Sequence, residues 1–342
     1  MLNVAESHDT LEDIPPPCAA TKLFDHKEQV DLLQKSLSSG HHAIILEGEA
    51  GIGKATAAFL QAKLLCGAAG DAHTGIDPDS AAHRQITQGA HPNVMHLTRP
   101  WSQQTKKWKT AITVDEVRKL QSFFGMTANQ NEPRIVIVDT LQDMNRNAAN
   151  ALLKMLEEPP ANALFLLISQ GLGSVLPTIR SRAQLVRFSP LSNTTVAETL
   201  HHISPDGVAS QQAEQLALHS SGSVRHALLM GLYGGLELLE ALQALLSSPE
   251  FDTLSAHRLA DISADRKQTA QGEILFDMLV QSLHSHAIHS AKSGDLKRSG
   301  ALASQAQDVA AEQRRREAFN LDKKQGFLVT AHKVHAAIHA QL

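Results

Sequence analysis

The chain has 342 residues, 42% hydrophobic and 19% charged, with a formal net charge of −4 at pH 7. These values suit a globular protein of two or three domains. They exclude whole-surface adhesion to nucleic acid, and no apolar run approaches the roughly 18 residues that span a bilayer. The only cysteines, Cys18 and Cys66, cannot build a disulfide framework and point to a reducing, cytoplasmic setting.

The opening "MLNVAESHDTLEDIPPPCAA" is acidic and Pro-rich. It lacks the basic start and apolar core of a signal peptide, so residues 1–21 read as a flexible leader. Helical spacing of Val30, Leu32, Leu33 and Leu37 predicts a helix that Gly40 ends. "AIIL" (Ala43–Leu46) is a short buried strand. A Gly-rich loop follows, then a helix over Lys54–Cys66. Residues 67–92 show weak periodicity and read as a loop or small helical insertion. Val114–Phe124 is an amphipathic helix with acids in its first turn. "RIVIVDT" (Arg134–Thr140) is a continuous apolar strand. Asn145–Pro160 is a helix stopped by two prolines. Ala163–Ser169 and Ala183–Ser189 are further strands. Beyond Pro190 the chain reads as helices, a small domain over 190–240 and another over 241–342. Alternating strands and helices over 22–189 predict a doubly wound parallel α/β sheet, and the Gly-rich loop between its first strand and helix makes it resemble a P-loop NTPase.

The loop "GEAGIGKA" supplies Gly48, Gly51, Gly53 and Lys54 at phosphate-binding spacing. Strand, Gly loop and helix are the context such a loop needs. Ala55 stands where a magnesium-ligating hydroxyl belongs, and Thr56 points about 100° further around the helix. The second strand keeps Asp139, but Thr140 follows it, and a threonine is no general base near neutral pH. Loop and fold are retained while two positions of the chemistry are lost. Lys54 leaves open a nucleotide held without turnover.

Other constellations carry weaker signals. Glu157 and Glu158 end a helix, where the dipole disfavours acids, so something is expected to hold them there. No partner base or cleft makes them a catalytic pair. Cys66, His73, His83, His91, Asp77 and Asp79 lack the compact paired spacing of structural zinc sites, and a metal-free insertion is expected. His284, His286 and His289, and His332, His335 and His339, read as polar helix faces. "RPWSQQTKKWK" interleaves Trp101 and Trp108 with Lys106, Lys107 and Lys109. That is the grammar of single-strand binding, although an exposed hairpin or loop beside the sheet is the plainer reading. Arg314, Arg315 and Arg316 read as a solvated helix face among Glu312, Gln313 and Glu317.

Taken in order, "EGEAGIGKATAA", "VDEVRKL", "RIVIVDTLQDMNRNAANALLKMLEEPP", "LFLLIS", "LPTIRSRAQLVRF" and "GSVRHALL" resemble the delta-prime-type clamp-loader subunits of bacterial DNA polymerase III, within the AAA+ superfamily. The resemblance covers roughly residues 22–230. It implies an α/β domain, a helical lid and a C-terminal helical collar. It also implies gamma/tau and delta subunits as partners in an open ring that places a sliding clamp on primer–template DNA. The delta-prime type is usually non-hydrolysing, which fits Ala55 and Thr140; an active gamma/tau-like ATPase is the alternative. By resemblance, Arg182 in "TIRSRA" is an arginine finger serving a neighbour's ATP, although Ala183 stands where the family usually has cysteine. Arg225 matches the second sensor on the lid, where a surface or helix-pairing arginine is an equal reading. Ser169 stands at the first-sensor position, where a strand-terminating serine is an equal reading.

Overall fold

The computed structural model describes residues 7–11, 13–125, 132–204, 206–265, 269–318 and 321–340. The side chain of Arg314 and the leader residues 1–6 lie outside them. The chain forms two compact units, Met1–Pro205 with Gly222–Val224, and Asp206–Ser221 with Arg225–Leu342.

The first unit is built on a five-stranded parallel sheet. In chain order its elements are α1 (Lys27–Ser38), β1 (Ala43–Glu47), α2 (Lys54–Leu65), the hairpin β2 (Gly70–Asp71) and β3 (Gly75–Ile76), α3 (Ala81–Thr87) and β4 (Val94–Leu97). The hairpin β5 (Trp101–Ser102) and β6 (Lys107–Trp108) follows, then α4 (Val114–Gly125), β7 (Arg134–Val138) and α5 (Arg146–Glu157). The unit continues with β8 (Ala163–Ser169), α6 (Pro177–Arg180), β9 (Gln184–Arg187) and α7 (Asn193–Ile203). The sheet order is β4-β7-β8-β1-β9, all neighbours parallel.

Strand alternation divides the core. Ile44, Leu46, Ile135, Ile137, Leu166 and Ile168 face one way, onto Leu33, Ala58 and Leu60 of α1 and α2. Ala43, Ile45, Val136, Val138, Phe165 and Leu167 face the other, onto Val117, Leu120, Leu152 and Leu156 of α4 and α5. Both faces are covered, which is why these strands read as unbroken apolar runs. Each buried Leu or Ile contributes about 1.5–3 kcal/mol relative to exposure. Local signals set the helix starts. Asn145 accepts from Ala148 N–H at 2.9 Å to cap α5, and Ser192 accepts from Thr195 N–H at 3.1 Å to cap α7. The expected doubly wound α/β architecture holds.

Three local readings differ from it. The sheet has a fifth strand, β4, which sequence patterning missed. It is a short edge strand, mostly half-buried and interrupted by His96, so it shows no continuous apolar run. The insertion 67–92 is a β-hairpin followed by α3, capped where Ser80 accepts from His83 N–H at 3.2 Å. Within the stretch read as a flexible leader, Pro17–Ala19 form a 3-10 turn and Cys18 is buried. Thr87 Oγ1 donates to the Cys18 carbonyl at 3.0 Å, and Lys63 Nζ donates to the Ala20 carbonyl at 2.7 Å.

Lys63 is fully buried, and burial brings its pKa down to about 8, against a smaller upward pull from Cys18. Between that value and the ordinary lysine value of about 10.4, the unfolded chain holds the proton and the folded chain does not. Stability from this group therefore rises with pH across that window. The stability of the wild type minus that of Lys63→Met is expected to grow by about 2 kcal/mol from about pH 7.5 to about pH 10. Urea unfolding of both proteins at the two pH values checks this, and a flat difference would remove the buried lysine.

The second unit is helical throughout its described residues. It contains α8 (Val208–Gln211), α9 (Ala213–His219), α10 (Val224–Leu232, from Arg225 onward), α11 (Gly235–Ser247), α12 (Thr253–Ala264), α13 (Thr269–Lys292), α14 (Leu296–Ala318) and α15 (Lys323–His339). Helices α12 to α15 pack about Phe276 and Phe327, whose ring centroids are 5.7 Å apart. Arg316 is not a solvated residue as its neighbours suggested. It donates to the Gly326 carbonyl at 2.5 Å and to Thr330 Oγ1 at 3.0 Å, and it pairs with Glu312. Likewise His335 is buried rather than on a polar face. His335 Nε2 donates to the Ser248 carbonyl at 2.8 Å and His339 Nε2 to the Leu246 carbonyl at 2.9 Å, closing the C-terminal end of α11. His284, His286 and His289 are exposed on α13.

Candidate functional site

Strand β1 lies between β8 and β9, so chain order reverses around it. The loop after β1 sits at the carboxyl ends of the strands at this switch point, where open α/β sheets place ligands. Gly48 has φ +151°, and a Cβ there would lie 2.5 Å from the Phe188 carbonyl oxygen and 2.8 Å from Ile52 Cδ1. The first N–H groups of α2, which Gly53 caps without a side-chain hydrogen bond, have no partner inside the helix, the arrangement that helix N-termini offer to anions.

The carbonyls of the loop are engaged. Lys54 Nζ donates to the Gly48 carbonyl at 2.7 Å and also to the Glu49 carbonyl. Ser223 Oγ donates to the Ala50 carbonyl at 2.9 Å, and Val224 N–H to the Gly51 carbonyl at 3.0 Å. His26 Nε2 donates to the Ile52 carbonyl at 2.8 Å, so that nitrogen carries the proton. Five consecutive carbonyls, Gly48 to Ile52, thus accept from protein donors.

Lys54 is 4% exposed, and burial brings its pKa down to about 8. Asp139, Glu47 and Glu49 pull it back up by charge. One ammonium thus feels three carboxylates and is bonded back into its own loop. His26, whose ring sits edge-on to Phe188 with centroids 4.9 Å apart, is held neutral by burial, which lowers its pKa. Two groups that Mg·ATP chemistry uses are absent, since no hydroxyl stands at Ala55 and no carboxylate at Thr140, and Lys54 donates to the Gly48 and Glu49 carbonyls.

The remaining expected residues divide between local structure and exposure. Asp139 Oδ2 lies 3.7 Å from His96 Nε2, and Thr140 is buried. Ser169, fully buried, accepts from Gln142 Nε2 at 2.9 Å, donates to the Gly171 carbonyl at 3.0 Å, and lends its own carbonyl to Gly48 N–H at 3.2 Å. It terminates the strand and ties it to the loop. Gln142 also donates to the Gly171 carbonyl at 3.0 Å.

Arg182 follows α6, with its side chain 37% exposed. Its Nη2 lies 2.8 Å from Glu157 Oε1, and its Nη1 donates to the Thr178 carbonyl at 3.1 Å and to Ser181 Oγ at 3.2 Å. Here is the partner that the helix-ending Glu157 required. An exposed pair of this kind contributes about 0–1 kcal/mol, so it orients the guanidinium without locking it. Arg225 is the second residue of α10 and half-buried.

Sequence reasoning missed His26, Ser223 and the Arg182–Glu157 pairing. Ser223 lies inside the quoted "GSVRHALL", but its role depends on a contact 173 residues away. Just before the insertion, burial raises the Cys66 thiol to about 11, with Glu132 adding to the rise, which disfavours the thiolate a metal needs. Among the described residues no group of three or more His, Cys, Asp or Glu side chains is placed to hold a metal.

Residues 25–192 match the family model described as DNA polymerase III, delta subunit. The chain is 38% identical over 184 residues to DNA polymerase III subunit delta' of Pseudomonas aeruginosa, covering 53% of each chain. It is 33% identical over 161 residues to subunit delta' of Bacillus subtilis, covering 46% of this chain and 45% of that one. It is 28% identical over 219 residues to DNA polymerase III subunit gamma of Buchnera aphidicola subsp. Schizaphis graminum, covering 62% and 57%. The chain therefore spans about half the length of the curated relatives it matches. A P-loop at the switch point of a parallel sheet, an Arg182 turn before β9 and this match over the same residues agree with one another. Through residues 25–192 the chain is thus similar to the DNA polymerase III delta-subunit family and, within it, to the delta' subunits of Pseudomonas aeruginosa and Bacillus subtilis.

Proposed function

We propose that this chain is a non-hydrolysing clamp-loader subunit. It would support ATP-dependent loading of a sliding clamp onto primed DNA by presenting Arg182 to ATP bound on a neighbouring subunit. The observation that carries the reading is a contrast between two cations. Lys54 is buried and bonded to its own loop, whereas Arg182 is partly exposed and held by a weak surface pair. A planar, always-charged guanidinium suits charge developing on a γ-phosphate, and lysine would not replace it. Gly48, Gly51, Gly53 and Lys54 then serve mainly as a strand–helix joint, which a nucleotide would occupy without turnover if at all. Asp139 and Arg225 hold the positions that the resemblance gives to the strand acid and the lid arginine.

The same reading assigns a leader to residues 1–21, the AAA+ α/β domain to 22–189, a lid to 190–240 and an oligomerising collar to 241–342. It takes gamma/tau and delta subunits as partners, with clamp and primer–template DNA reached through the complex. It places the protein in the cytoplasm; no single helix among the described residues is long and apolar enough to cross a membrane. Two measurements test it. Mixed with ATP-binding gamma/tau and delta subunits, the chain is expected to enter a complex of defined mass by light scattering. Alone, it is expected to show no Mg·ATP hydrolysis above buffer. Hydrolysis by the folded single chain would favour the gamma/tau-like motor instead, and failure to assemble would overturn the scaffold reading.

A further inference from the structure

From Arg99 to Val114, "RPWSQQTKKWKTAITV", the chain carries no acidic residue, although the protein as a whole is acidic. This stretch leaves the carboxyl end of edge strand β4 and folds into the β5–β6 hairpin. Trp101 and Trp108 are direct cross-strand partners, and their rings meet edge-to-face with centroids 5.3 Å apart. The turn is closed by Thr105 N–H donating to Ser102 Oγ at 3.3 Å, and the base by Lys109 N–H donating to the Pro100 carbonyl at 2.9 Å. Arg99 is engaged with Asp143. Lys106, Lys107 and Lys109 are exposed, and none is in an ion pair among the described residues. Trp101 is 43% exposed. A single exposed apolar residue needs no explanation. An indole braced by a second indole and flanked by three unpaired ammonium groups does.

We infer that the β5–β6 hairpin is a contact site for single-stranded nucleic acid. The Trp101 indole stacks on an unpaired base, Trp108 holds that indole edge-on, and Lys106, Lys107 and Lys109 meet the phosphates on either side. The two strands of a hairpin lie only about 5 Å apart, so lysines on either face reach a backbone that wraps it. Base–aromatic stacking together with lysine–phosphate contacts is the physics of sequence-tolerant single-strand binding. A duplex fits less well, because its bases are already stacked on one another. A bilayer fits less well too, because the tip residues Gln103, Gln104 and Thr105 are polar and no aliphatic side chain accompanies the indole. An acidic peptide would use the lysines but leave the indole without a role. The inference is independent of Arg182 and of the nucleotide loop.

Trp101 and Trp108 are the only tryptophans in the chain, so intrinsic fluorescence reports on this hairpin alone. The full chain is titrated with unlabelled oligo(dT), a duplex of equal length, phosphatidylserine vesicles and polyglutamate, and affinity for end-labelled oligo(dT) is read by anisotropy. Oligo(dT) is expected to quench the tryptophans, with log K falling against log salt at a slope of about −2 for three phosphate contacts. Trp101→Ala is expected to weaken binding about tenfold and Trp101→Phe much less. The triple change Lys106→Gln, Lys107→Gln, Lys109→Gln is expected to weaken binding and flatten the salt slope. Circular dichroism identical to wild type confirms that these exposed changes leave the fold intact. No quenching by oligo(dT), an equal or stronger response to duplex, vesicles or polyglutamate, or wild-type affinity in the variants would each overturn the assignment.

Discussion

Arg182→Ala is expected to lower ATP turnover at the neighbouring subunit's site by about 10³-fold in a reconstituted complex, with assembly itself unchanged. The magnitude is that of removing a trans-acting guanidinium, which acts only when charge builds on the transferred phosphoryl group. The contacts that Arg182 makes within its own chain predict almost no effect on folding. Its Glu157 pair is exposed, and its other two bonds go to Thr178 and Ser181 of the same turn. Arg182→Lys should rescue little, because an ammonium lacks the fork that grips two oxygens at once. Glu157→Gln removes the charge that orients the guanidinium and should change turnover by less than about fivefold, the scale of a surface ion pair.

Lys54→Ala is the informative control for Arg182. It strips a buried donor from the Gly48 and Glu49 carbonyls and should cost stability, yet leave turnover in the complex within about twofold. Single-turnover hydrolysis with labelled ATP, measured for each variant in the same assembly, separates these outcomes. Wild-type rates in both Arg182→Ala and Lys54→Ala would remove the trans-acting role. Loss of turnover in Lys54→Ala alone would make this chain's own loop the motor.

Gly48→Ala is expected to destabilise the α/β unit by about 3 kcal/mol or more, which is a large share of a typical domain's stability. Gly48 has φ +151°, a region L side chains rarely enter, and its added Cβ would press within 2.5 Å of the Phe188 backbone oxygen. Phe188 cannot yield easily, since its own N–H donates to the Glu47 carbonyl at 2.7 Å, where β9 runs on beside β1. Gly40→Ala supplies the comparison. It has φ +80° but nothing within 4 Å of the new Cβ, so it carries conformational strain without the clash and should cost about 1 kcal/mol. Urea unfolding of the two variants in the absence of nucleotide measures the difference. Equal costs would mean that the first glycine of the loop is not wedged between strands. A much larger cost at Gly48 would make it a structural requirement of the joint, whatever the loop binds.

Much of this architecture was legible before any coordinates. Ala163–Ser169 is a strand at the bounds its unbroken apolar run predicts, and α5 stops just before Pro159 because proline removes a donor and clashes with the preceding turn. The short edge strand β4 was not legible. Half its surface faces outward, so its residues carry no strong pattern. The insertion hairpin was hidden for a related reason, since two-residue strands leave no periodicity to detect. The burial of Cys18 and Lys63 was hidden as well, because each is buried by residues far away in sequence, Thr87 and Ala20 among them.

At the site, sequence alone determined what is chemically missing. Ala55 has no oxygen and Thr140 no carboxylate, and residue identity settles both. It also singled out Arg182 through its motif and noticed that Glu157 ended a helix against the dipole. Only the tertiary structure decided how the surviving cations are used. Lys54 turns back on the carbonyls of its own loop, Ser223 and His26 hold the rest of that loop, and Glu157 meets Arg182 across the 24 positions between a helix end and a later turn. Those assignments depend on distances between segments remote in sequence. A one-dimensional pattern records which donors and acceptors a chain carries, and only the folded backbone decides which of them come within hydrogen-bond reach.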